Sequence, residues 1–73
     1  MAAAQLAKIF HERYHSAKDG HRVTSIHFFG IEFADDLRGH TIKDICVAAD
    51  VPVSYVTEVY KGMPLSELVK IKT

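Results

Sequence analysis

A single cysteine, Cys46, rules out an internal disulfide and fits a reducing compartment, so a cytoplasmic location is expected. Charge of one sign is also lacking. Nine Lys and Arg balance nine Asp and Glu, so the chain has no overall basic field of the kind a dedicated polyanion binder usually carries. No apolar run approaches the length needed to cross a bilayer, and Met1-Ala-Ala-Ala is followed by Gln5 and Lys8, so neither a membrane span nor a secretory leader is expected. Gly-rich phosphate loops, low-complexity tracts and internal repeats are missing as well. With only two prolines and four glycines, the chain has no linker long enough to divide it.

What remains is 73 residues, nearly half of them apolar, forming one domain. A core of this size is marginal, and a partner subunit is the natural further source of stability, so a homodimer is expected. The spacing predicts an all-α domain of about five short helices. Residues 2–19 are good helix formers with Leu6, Ile9, Phe10, Arg13, Tyr14 and Ala17 close to one stripe, and Gly20 is the expected stop. A second helix is predicted to start after a Thr24 or Ser25 cap and run to residue 38, with Ile26, Phe29, Phe33 and Leu37 inward. Within it, residues 23–29 also alternate tolerably as a strand, and Gly30 reads as a weak point or a close-packing point. A last helix is predicted over residues 65–71, after Pro64.

The most informative stretch is residues 41–62, TIKDICVAADVPVSYVTEVYKG. Ile42, Ile45, Cys46 and Ala49 recur at i, i+3, i+4 and i+7, one face of a short helix. Pro52 lacks an N–H and pushes Val51 towards extended backbone, so that helix must stop before it. Val53, Val56, Val59 and Tyr60 then form a second stripe, with Val56 expected in the core and Gly62 as a left-handed cap. Two short amphipathic helices joined by a tight turn make up the helix-turn-helix motif, in which one helix braces on the backbone while the other enters the major groove.

Thr41, Ile45, Val51, Val56, Val59 and Gly62 fall without a gap on the pattern of the phage repressor and Cro-type helix-turn-helix family, which residues 25–71 resemble. Cys46 stands at the small-residue position, Asp50 at the turn glycine and Pro52 at the usual capping Ser. The resemblance implies a small DNA-binding transcriptional regulator: a helix-turn-helix core at residues 24–73, preceded by an extra N-terminal helix at residues 1–20. Double-stranded DNA is then the expected partner. Val53, Ser54, Thr57 and Glu58 would face base edges, and Tyr55 would either stack or contact a phosphate or a partner protein, or pack partly on the preceding helix. Lys43, Lys61 and Arg38 would contact phosphates, with His40 beside them.

The residues at these positions temper that expectation. Among Val53, Ser54, Thr57 and Glu58 there is no Arg, Asn or Gln to read bases bidentately, and Glu58 would repel phosphate as readily as it would accept from a cytosine amino group. From residue 38 onward, Arg38, Lys43, Lys61, Lys70 and Lys72 stand against Asp44, Asp50, Glu58 and Glu67, a net of +1. A protein-interaction module on the same scaffold, without base reading, is the alternative. Off-stripe Phe28 and Ile31 would be wrapped by a five-helix core or would form a dimer surface.

A competing signal lies in the first helix. His11-Glu12-Arg13-Tyr14-His15 satisfies H-E-x-x-H, the zinc protease motif, and His21 stands where the metzincin protease family places a third ligand. Lys18 occupies the position where that family needs Gly, and so short a chain supplies no substrate cleft. Surface histidines are therefore expected, with a metal site through His11 and His15 as the minor alternative. No enzyme activity and no cofactor are expected. Cys46, on the packing face, reads as a buried structural thiol, and Asp35-Asp36 as a solvated helix end.

Overall fold

The computed structural model describes residues 1–64; the helix expected over residues 65–71 lies outside them. Among the described residues the fold is all-helical. Five helices follow there in order: α1 (Ala3–Ser16), α2 (Arg22–Glu32), α3 (Ala34–Leu37), α4 (Ile42–Ala48) and α5 (Val56–Gly62), with a 3-10 turn at Val53–Tyr55 leading into α5. No helix among the described residues is long and apolar enough to cross a membrane.

α1 buries Leu6, Ala7, Phe10 and Tyr14. The Phe10 and Phe29 rings stack with centroids 4.3 Å apart, joining α1 to α2. Gln5 accepts a hydrogen bond from the Ala2 N–H, satisfying one donor left free at the helix start. Gly20, at φ 88°, makes the turn between α1 and α2. α2 begins at Arg22, before the expected cap, and residues 23–29 are helical, not a strand.

The helix expected to run to residue 38 breaks at Phe33, where φ is −108° and ψ is 20°. Phe29 and Leu37 are buried on either side of the bend, while the Phe33 ring stays at the edge of the core, 5.2 Å from the Phe29 ring. The Arg13 guanidinium lies 5.1 Å over Phe33 and bonds both oxygens of Glu32, so the bend is roofed by α1.

The core between α4 and α5 is Ile42, Ile45, Cys46, Ala49, Val51, Val59 and Met63. The expected second stripe is only partly buried. Val59 is fully inside and Val56 half-buried, while Val53 and Tyr60 are 45% and 52% exposed. At about 100° per residue, positions 53 and 60 lie a quarter-turn or more from Val59, outside a core-facing stripe. Gly62 is not a left-handed cap either; it ends α5 in helical geometry. Its small size serves the crossing with α2. A methyl at Gly62 would overlap the His27 carbonyl, and one at Gly30 would meet the Val59 carbonyl oxygen at 2.5 Å. Gly30 is therefore a close-packing point, and the two glycines together let the backbones of α2 and α5 touch.

Candidate nucleic-acid interface

The turn between α4 and α5 is built by hydrogen bonds that follow from one residue in left-handed geometry. Asp50 has φ 58°, a conformation Asp tolerates better than most residues. Its N–H donates to the Val47 carbonyl at 3.2 Å, and the Val51 N–H donates to the Cys46 carbonyl at 2.9 Å. This is the Schellman arrangement, and Val51 and Cys46, the positions that usually meet in an apolar contact there, are both buried. Pro52 then opens the next segment as the cap of the 3-10 turn.

Two carbonyls of this turn are claimed by α1. His11 Nδ1 lies 2.8 Å from the Ala49 oxygen, and His15 Nε2 lies 3.0 Å from the Asp50 oxygen. A carbonyl only accepts, so each of these ring nitrogens must carry the proton. The i, i+4 spacing that suggested a metal chelate instead places two donors one helical turn apart, matching two successive acceptors. The Asp50 carboxylate adds a weaker contact to His15 at 3.9 Å. Among the described residues, no three His, Cys, Asp or Glu side chains gather as a metal site would require.

α5 presents two unlike sides. Val59, Gly62 and Met63 are buried, and Tyr55 and Val56 are half-buried beside them. Tyr55, expected near the reading face, turns towards α1, its ring centroid 5.8 Å from that of Tyr14. Val53, Ser54, Thr57, Tyr60 and Lys61 are exposed. On α4, Lys43 and Val47 are exposed, Val47 at 63%. Of the other candidate cations, Arg38 pairs with Asp35, and the His40 ring bonds the Met1 carbonyl at 3.0 Å.

Glu58 departs most from its expected place. Its carboxylate accepts from His27 of α2 at 2.6 Å on one oxygen and from Lys61 at 3.2 Å on the other. The His27 hydrogen bond is the main reason its carboxyl lies below the usual carboxylate range; Lys61 adds to the effect. The side chain is accordingly only 24% exposed. Cys46 is fully buried, and burial pushes its thiol pKa up.

Sequence reasoning did not find His27, His11 or His15 as partners of the helix-turn-helix unit. Their partners lie 31 to 38 residues away, and no local spacing encodes such a contact. A family profile described as an HTH-like domain matches residues 2–72, nearly the whole chain, α1 included. No curated protein and no solved structure matches it.

Proposed function

The chain belongs to the HTH-like domain family, and on that premise we propose that it is a small DNA-binding regulator acting as a homodimer in the cytoplasm. The observation that carries this reading is the division of α5. One side is locked into the core by Val59 and Gly62, with Met63 just beyond, and the other offers Thr57, Tyr60 and Lys61 to solvent, with Val53 and Ser54 exposed on the 3-10 turn before it. A helix so held can enter a major groove without rearrangement.

Hydroxyls on Ser54 and Thr57 pair with several base edges, and the Val53 and Thr57 methyls suit thymine methyl groups. Sequence preference is therefore modest, and affinity rests on phosphate contacts from Lys43, Lys61 and Arg38. A dimer using all three on each subunit would give a log-log salt slope of about −5. Fluorescence anisotropy of a mixed-sequence duplex across a salt series tests this. Salt-sensitive binding at micromolar protein supports the reading, and no binding at low salt sinks it.

One observation favours a second reading, a protein-interaction module. The cation Lys61 is neutralised by Glu58, and Val47, Val53 and Tyr60 give the surface an apolar character. Absence of DNA binding at low salt would move attention to this face as a protein-docking surface.

A further inference from the structure

Glu58 is the one acidic side chain on the helix proposed to read DNA, and the structure gives it a partner outside that helix. His27 reaches from α2 to one carboxylate oxygen at 2.6 Å, while Lys61 takes the other at 3.2 Å. Thr57, the preceding residue, is exposed, whereas Glu58 is half-buried against α2. The α2–α5 crossing fixes this geometry, because Gly62 seats directly on the His27 carbonyl. The backbone that carries the imidazole therefore cannot drift from the helix that carries the carboxylate.

We infer that His27 is a positioning residue for the reading face: it draws the Glu58 carboxylate towards α2, so that Glu58 neither reads a base nor confronts the phosphates. This rests on the DNA reading above. Reading a cytosine amino group would require the carboxylate to leave His27 and swing outward. A carboxylate released in that direction would stand among the same phosphates that Lys61 serves, and its charge would oppose binding. His27 thus acts through Glu58 on the charge that DNA meets, without touching DNA itself.

The test is a double-mutant cycle on the full chain, with anisotropy of a mixed-sequence duplex at fixed low salt and circular dichroism to verify folding. Glu58→Gln is expected to tighten binding by about threefold, because Lys61 no longer shares its charge with a carboxylate. His27→Ala is expected to weaken binding by about threefold to tenfold, as the carboxylate loses its tether. The double variant is expected to return to within about twofold of Glu58→Gln, a rescue that a merely structural role for His27 would not give.

Weaker or unchanged binding by Glu58→Gln overturns the inference; weakening confined to duplexes with a particular cytosine would assign Glu58 as a base reader. Failure of Glu58→Gln to rescue His27→Ala also overturns it. If His27→Ala does not fold, the sign of the Glu58→Gln effect decides alone. A folded wild-type chain that binds no duplex at low salt sinks the DNA reading itself, a result distinct from binding without the predicted coupling.

Discussion

The α-carbon of Gly62 sits against the carbonyl group of His27, so closely that a side chain at position 62 would overlap it. Gly30 makes the reciprocal approach, with the Val59 carbonyl oxygen 2.5 Å from where its β-carbon would stand. Backbone cannot yield as a flexible side-chain tip can, so α2 and α5 would have to separate to admit either methyl.

Gly62→Ala and Gly30→Ala are therefore each expected to cost about 2 kcal/mol or more in urea unfolding, despite the better helix propensity of Ala. Gly39 has open space around its β position. Gly39→Ala should change stability by less than about 1 kcal/mol, and a comparable loss there would refute the crossing argument.

Removing a donor from the α4–α5 turn leaves a carbonyl of Ala49 or Asp50 without its partner. His11→Leu and His15→Leu should each cost about 1 kcal/mol, with His11, on the part-buried contact, the larger. Both act on one turn, so the double variant should lose less than the sum of the two, as chemical denaturation would measure.

Acid should weaken the fold through two particular carboxylates. Glu32 lies below its ordinary range chiefly because of its hydrogen bond from Arg13, and Glu58 chiefly because of its hydrogen bond from His27. A depressed folded value means the stabilisation is complete above the ordinary glutamate value of about 4.3 and is lost as pH falls through the depressed value. Melting temperature should then drop below about pH 4 in the wild type and drop less steeply in Glu32→Gln and Glu58→Gln. Equal acid sensitivity in all three chains would contradict these pairings.

Cys46 is fully buried and its thiol pKa is pushed up by burial, so thiolate is scarce at neutral pH. Alkylation by a thiol reagent is expected only through unfolding, at a rate that rises with urea in step with the global transition. Rapid labelling of the native chain would place Cys46 at the surface.

Local periodicity carried much of the fold. The stripes through Leu6, Phe10 and Tyr14, and through Ile42, Ile45, Cys46 and Ala49, are buried as the spacing predicts, because each helix is short and faces a single core. The bend at Phe33 was not legible, since no Pro marks it and Gly30, three residues earlier, reads equally well as a close-packing point. On the candidate interface, Val53, Ser54, Thr57 and Lys61 stand exposed. Tyr55 and Glu58 turn inward because Tyr14 and His27, distant in sequence, offer them better partners.

The histidine clamp on the α4–α5 turn also sets an order of events. His11 and Ala49 lie 38 residues apart, and His15 and Asp50 lie 35 apart. During synthesis α1 can pack on α2 through Phe10 and Phe29 before the turn around Asp50 exists, and only its two histidines must wait for their carbonyls. Local helix formation precedes such distant pairing. The contacts that join α1 to the turn therefore close after those that join α1 to α2.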